Sequence, residues 1–226
     1  VRRGAALAVG FALLGCAAAR PPRDPLTADQ HNDLGVAYFE QGETRRAASE
    51  FERAAALRPT WARPLVNLGD ARLALGEVPA AIDAYQRAVA LAPENPAAAN
   101  NLAWALLQDP KRWPEAEAII DRALAQHPQP IGYYLDTLGV LRLRKGDNTG
   151  ALDAFRSALS DGGLERGPTR ALVLGHAAEA YTSLGDEAAA ARCHARAEVE
   201  RGLRGGGAAT ADGSATPLVG GPASVC

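Results

Sequence analysis

A skeleton of small, large and turn-forming residues returns along this chain about every 34 residues. No other feature narrows the fold so far. The first copy spans Ala28–Trp61 and carries Leu34-Gly35, Tyr38, Ala47, Phe51, Ala54 and Pro59. Gly35 recurs as Gly69, Ala103, Gly139 and Ala178. Ala47 recurs as Ala81, Ala116, Ala151 and Ala190, and Ala54 as Ala88, Ala123, Ala158 and Ala197. The large residue between them is Phe51, Tyr85, Ile120, Phe155 and His194, and the closing proline is Pro59, Pro93 and Pro128. A fixed period of this length marks one supersecondary unit that buries its apolar face only against its neighbours.

Within a copy the pattern has helical spacing. Thr27 with Gln30 three positions on forms a capping box. Leu34, Tyr38 and Gln41 then share a face, and Gly42 supplies the left-handed residue that ends a helix. Glu43 and Thr44 suit the positive end of a second helix. Ala47, Phe51, Ala54 and Leu57 form its apolar stripe, and Pro59 stops it. Each copy is therefore two antiparallel helices joined by a short turn.

On these residues the chain resembles the tetratricopeptide-repeat (TPR) family, over about Ala28 to Arg204. The resemblance implies an all-α right-handed solenoid of about five helical hairpins, at 28–61, 62–95, 96–131, 132–167 and 171–204. Several positions depart from the family pattern. The tryptophan expected early in each first helix is replaced by His31, Leu65, Ala99, Leu135 and Leu174. Asp109-Pro110-Lys111-Arg112 stands where the third glycine turn belongs. The fourth copy lacks its proline and runs into a loose stretch, Ser160–Pro168. His31 and His194 fall on core positions, where a packed histidine with its partner satisfied is expected.

In that family the inner faces of the first helices line a groove that accepts an extended or helical peptide. The corresponding face here carries Asn32, Asp33, Val36 and Phe39, then Val66, Asn67, Asp70 and Leu73. It continues with Asn100, Asn101, Trp104 and Leu107, then Tyr133, Asp136, Thr137 and Val140. Stacked asparagines offer a donor and an acceptor to a peptide backbone. They can equally bond neighbouring helices and order the stack. Trp104 and Tyr133 are flat anchors of the kind that dominate interface hot spots. The Lys-and-Asn clamp that some TPR domains use for a terminal carboxylate is absent. Asp33, Asp70 and Asp136 favour a basic or neutral segment instead.

The chain opens with Arg2 and Arg3, followed by an apolar run at Ala5–Leu14, too short to span a bilayer. It reads as a signal peptide over 1–15. Leu13-Leu14-Gly15-Cys16 resembles the bacterial lipobox, which implies that Cys16 becomes the lipidated first residue of the mature chain. Residues 16–27 hold three prolines and make an extended tether. Ala17, not aspartate, follows the cysteine, which implies an outer-membrane anchor facing the periplasm.

A net charge of −2 gives no concentrated basic face for nucleic acid. The four histidines, His31, His127, His176 and His194, make no metal-ligand set. No phosphate loop and no nucleophile–base pair is evident, so neither an enzyme, a metal nor a cofactor is expected. Residues 205–226, rich in Gly and Ala, read as a disordered tail. An oxidising compartment permits a Cys193–Cys226 disulfide, but the loose tail between them argues against it. The expected function is a membrane-anchored periplasmic adaptor that binds a protein or peptide in its groove, in envelope, secretion or pilus assembly. The alternative is a self-associating structural envelope protein without a dedicated ligand.

Overall fold

A computed structural model describes residues 25–126, 131–160, 163–202 and 225–226. The signal peptide, Cys16, most of the tether, Pro128 and residues 205–224 of the tail lie outside the described residues. Ten α-helices follow one another, with no strand among the described residues. They pair as α1 (Ala28–Glu40) with α2 (Thr44–Leu57), α3 (Ala62–Ala74) with α4 (Val78–Leu91), and α5 (Pro96–Leu106) with α6 (Trp113–Ala125). Then come α7 (Gly132–Arg144) with α8 (Asn148–Ser160) and α9 (Pro168–Ser183) with α10 (Glu187–Gly202). The all-α solenoid of five hairpins that the period implies is the fold observed.

The helix ends follow from the residues placed there. The Thr27 side chain accepts from the Gln30 backbone, while the Gln30 side chain accepts from the Thr27 backbone, so the capping box is complete. Gly42 takes φ 78°, with Gly42 N–H on Phe39 O and Glu43 N–H on Tyr38 O. That pair of bonds is a Schellman motif, which satisfies carbonyls at the helix end. It recurs at Gly76, Gly146 and Gly185. The third hairpin has no such glycine. There Pro110–Arg112 forms a 3-10 turn, Asp109 Oδ1 accepts from Lys111 N–H at 3.0 Å, and the Trp113 indole donates to Leu107 O at 3.1 Å.

Within a hairpin, the recurring glycine faces the recurring ring. A Cβ on Gly35 would stand 2.5 Å from Phe51 Cε1, and it would come closer still at Gly69 to Tyr85 and at Gly139 to Phe155. The rings are buried against bare backbone. The third hairpin solves the same problem differently: Ala103 replaces the glycine and Ile120 the ring, and both are fully buried.

The fifth hairpin corrects one expectation. Ala178 is buried, but His194 is exposed, and its neighbour Cys193 is buried at 0% exposure. An alanine methyl takes the space a ring needs, and a polar imidazole does better in water. His31 is packed as expected, with Nδ1 2.6 Å from Glu50 Oε2.

The tail needs a second correction. Cys193 and Cys226 form a disulfide, with Cα atoms 5.0 Å apart. Val225 is buried, its N–H donating to the Tyr181 hydroxyl at 3.3 Å and its carbonyl accepting from Arg196 at 3.2 Å. The length of chain between the two cysteines is no obstacle, because closure entropy grows only logarithmically with length. A cross-link of this span stabilises by about 2–4 kcal/mol.

Neighbouring odd-numbered helices touch one another directly along the whole stack, in addition to their partners within each hairpin. The odd-numbered helices therefore line the inner, concave side.

The glycine–ring packing is testable. Gly139→Ala should cost about 1–3 kcal/mol by overpacking. Adding Phe155→Ile recreates the third hairpin's solution, so the double variant should be less destabilised than the sum of the singles by about 1 kcal/mol. Urea unfolding of the four proteins measures that coupling; strict additivity would contradict direct contact.

Candidate functional site: the concave face

One polar row runs along the inner face from hairpin to hairpin. Asn67 Nδ2 donates to Asn32 Oδ1 at 2.8 Å, joining α3 to α1. Asn101 Nδ2 donates to Asp70 Oδ1 at 2.9 Å, joining α5 to α3. The Thr137 hydroxyl lies 2.9 Å from Asn100 Oδ1, joining α7 to α5. His176 Nδ1 lies 2.8 Å from Asp136 Oδ1, joining α9 to α7. Each incoming residue stands two positions before the small site of its hairpin. In three of the four bonds its partner stands three positions before the small site of the preceding hairpin. The second hairpin has apolar Val66 at that place, so Asn101 turns to Asp70, one position after Gly69.

The asparagines therefore do order the stack, and each keeps part of its amide. Among the described residues, Asn101 Oδ1 has no hydrogen-bond partner. The Thr137 hydroxyl also lies 3.0 Å from Tyr133 O. One hydroxyl proton serves one acceptor at a time, so the Asn100 amide is free to meet Thr137 with either end.

The expected groove residues divide by exposure. Asp33, Val36, Phe39 and Tyr133 are exposed; Asn67, Asp70, Asn100, Asn101 and Trp104 are half-buried; Asn32 and Asp136 are buried. Val66, Leu107 and Val140, read as groove-lining, are instead buried in the core, and so is Thr137. The helix stripe that contacts its neighbours is wider than a one-face reading allows.

The two central carboxylates are not free charges. Burial pushes the Asp70 carboxyl above its usual range, opposed by hydrogen bonds from the Tyr85 hydroxyl at 2.6 Å and from Asn101. Asp136 is tied to His176. Burial works against a charged His176 ring, but the Asp136 hydrogen bond and charge prevail and hold its pKa above the usual histidine value. Glu179 adds to that effect and Arg144 opposes it. The His176 ring lies between Trp104 and Phe155, 5.9 Å from each ring centre.

Trp104, Tyr133, Asn100, Asn101 and Asp136 meet at one cavity of about 390 Å³. Leu164, Pro168, Leu172 and Val173 complete its wall from the fifth hairpin and the segment before it. A second cavity of about 210 Å³ adjoins it, lined by Pro96, Ala97 and Tyr134 and sharing Asn100, Asn101 and Tyr133. Asn32, Asp33, Val36, Asn67 and Asp70 belong to neither. The sequence reading stopped at four hairpins and so missed Leu172 and His176. Counting back from Ala178 as from Gly139 would have found both. Among the described residues no group of three His, Cys, Asp or Glu could hold a metal. No helix among them is long and apolar enough to cross a membrane.

The His176–Asp136 bond makes stability depend on pH. Because the folded pKa lies above the unfolded value, the bond's contribution is complete below about pH 6.5. It is lost as pH rises through the folded pKa. The melting temperature of the native protein should exceed that of His176→Gln most at acidic pH above the carboxylate range, with the gap narrowing toward alkaline pH. A gap that is flat or widens with pH would contradict the pairing.

Comparison with known proteins places this geometry among others. Two family models, each described as tetratricopeptide repeat, match residues 66–129 and 28–61. No curated protein matches the sequence significantly. Among solved structures, the APC/C hetero-tetramer Cut9-Hcn1 aligns with TM-score 0.69 and 20% identity over 79% of this chain, which spans only 34% of that one. A thermophilic TPR protein of Thermus thermophilus aligns with TM-score 0.62 and 22% identity, over 79% of this chain and 96% of that one. PilW, a widely conserved type IV pilus biogenesis factor, aligns with TM-score 0.66 and 18% identity, over 76% of this chain and 78% of that one.

Proposed function

The chain belongs to the tetratricopeptide-repeat family, and from that premise we propose that it is a lipid-anchored adaptor of the cell envelope that holds a segment of another polypeptide along its concave face. The observation that carries the reading is the pair of adjoining, largely apolar cavities on the inner face, bordered by asparagines with amide groups to spare. Tyr133 and Leu172 stand exposed beside them, at 45% and 53%, where a bound segment would cover them.

Two features support the envelope. Leu13-Leu14-Gly15-Cys16 has the lipobox form, and several acyl chains on Cys16 would anchor stably, since each buried methylene contributes about 0.8 kcal/mol. The Cys193–Cys226 disulfide suits an oxidising compartment. An outer-membrane anchor facing the periplasm would present the groove to pilus or secretion components, or to enzymes of the cell wall. The likeness to PilW makes pilus assembly the first setting to examine. A neutral or basic segment suits the exposed Asp33 on that face better than an acidic one.

A photoreactive phenylalanine analogue in place of Tyr133, in the cells that make the protein, tests the adaptor. It should yield a defined crosslink to one other polypeptide, and the same group in place of Leu57 on α2 should not. Crosslinks only to a second copy of the chain, or equal products from both positions, would contradict the proposal. Cys16→Ala should release the protein from the membrane fraction.

A further inference from the structure

The two concave cavities take no residue from α4 or α6. A third cavity, of about 310 Å³, lies on the other side of α5. Val89 of α4, Ala99 and Leu102 of α5 and Ile119 of α6 give it apolar walls. Arg122 of α6 and Tyr134 of α7 give it polar ones. Pro96 and Tyr134 line this cavity and the smaller concave one alike. The repeat explains why it is open. Ala99 stands four positions before the small site Ala103. His31, Leu65, Leu135 and Leu174 hold the same register in the other hairpins, and each has a larger side chain than alanine.

The same register shows what Arg122 lacks. In four hairpins an arginine stands six positions after the first small site of the second helix: Arg53, Arg87, Arg122 and Arg196. Arg53 pairs with Glu50 and Arg87 with Asp83, while Arg196 donates to Val225 O at 3.2 Å. Among the described residues the exposed Arg122 has no such partner.

The fifth hairpin shows how such an arginine can be used. Val225 is buried there, its C=O accepting from Arg196 and its N–H donating to the Tyr181 hydroxyl at 3.3 Å. One apolar residue is thus held by its side chain and by both its peptide groups. The third hairpin places the same groups around its cavity. Ile119 and Arg122 stand at the registers of Cys193 and Arg196. The Tyr134 hydroxyl donates to Pro96 O at 2.8 Å, and its oxygen keeps lone pairs that accept an N–H. This tyrosine comes from α7, whereas Tyr181 comes from its own hairpin's first helix. Cavities that enclose a small molecule start at about 300 Å³, so about 310 Å³ suits a whole residue with its flanking peptide groups.

We infer that the third hairpin carries a second binding site, on the outer side of α5, for a polypeptide segment that presents one branched apolar residue. The side chain lies between Ala99 and Ile119. Its peptide C=O accepts from Arg122, and its N–H donates to the Tyr134 hydroxyl. The site is separate from the groove and does not depend on what the concave face holds.

The test probe is acetyl-Ala-Ser-Val-Ser-amide, the sequence around Val225 with serine for the cysteine. It is titrated into the full ¹⁵N-labelled chain with its disulfide intact. Saturable shifts should appear at the backbone amides of Ala99 and Arg122 and at the Arg122 Nε–H. Acetyl-Ala-Ser-Asp-Ser-amide should bind at least about tenfold more weakly, because a carboxylate is poorly placed in an apolar cavity. Ala99→Leu gives the third hairpin the residue that the second, fourth and fifth carry, so it should fold, and it should abolish binding. Arg122→Gln changes an exposed side chain and should weaken binding about tenfold, the effect of losing a hydrogen bond to a charged group. Should Ala99→Leu melt below the native protein, Arg122→Gln decides alone. The compound 3-methylbutanoate supplies the branched group and a carboxylate for Arg122, but no peptide N–H. Binding as tight as the peptide's would mark a site for a small acid and overturn the inference. An absence of saturable shifts, or an affinity unchanged in the variants, would overturn it too. So would shifts confined to Tyr181, Cys193 and Arg196, since the peptide would then have taken the place of Val225. The Tyr133 crosslink reads the groove alone, so either site can fail without the other.

Discussion

A ring laid on bare backbone sets the geometry of this molecule. Phe51 on Gly35, Tyr85 on Gly69 and Phe155 on Gly139 bring the two helices of a hairpin to a separation that any side chain on the glycine would prevent. Ile120 with Ala103 reaches an equivalent fit with an aliphatic residue and a methyl group. Because the same contact recurs at a constant spacing, successive hairpins present their first helices in register. The polar row on the concave face follows from that register, since the residue two positions before one small site comes within hydrogen-bond reach of a residue near the preceding one, three positions before it in three of the four bonds.

That row reconciles two demands on the inner face. A wholly apolar groove would expose a patch of the kind that drives indiscriminate association. A wholly satisfied polar face would have nothing left for a ligand. Asparagine answers both, because its amide has a donor end and an acceptor end that can serve different neighbours. Asn101 gives its donor to Asp70 and keeps its acceptor. Toward the fifth hairpin the row ends in the His176–Asp136 pair, which holds the carboxylate beside the larger cavity. The apolar wall there comes from Trp104, Tyr133 and Leu172, on three different helices.

Much of this was legible before any coordinates. Helix ends, turns and hairpin pairing follow from Gly42, Gly76, Gly146 and Gly185, from Thr27 with Gln30, and from the alternation of alanine with a large residue. These are local signals, decided within a few residues. The concave face was legible as a face, but the fate of each residue on it was not. Asn67 and Asn101 read equally as peptide clamps or as stack bonds, because the choice depends on a partner some 30 residues away. Val66, Leu107 and Val140 shared the register of the groove yet were drawn into the core by the neighbouring hairpin. His194 held the register of a ring, but Ala178 left no room for one and Cys193 was buried instead. The disulfide ran against expectation because a Gly- and Ala-rich spacer reads as a barrier to closure, while the entropic cost of closing it grows only logarithmically with length.

The asparagine row exists only if the hairpins keep the register that their glycine–ring contacts impose, so its side-chain amides report on the whole arrangement. Hydrogen exchange at the Nδ2 groups of Asn67 and Asn101 is the direct measurement. Both should exchange well below the rate of a solvated amide, and Asn32→Ala and Asp70→Ala should each restore the solvated rate at their own partner alone. Exchange at the solvated rate in the native protein would contradict the row, and with it the concave face built upon it.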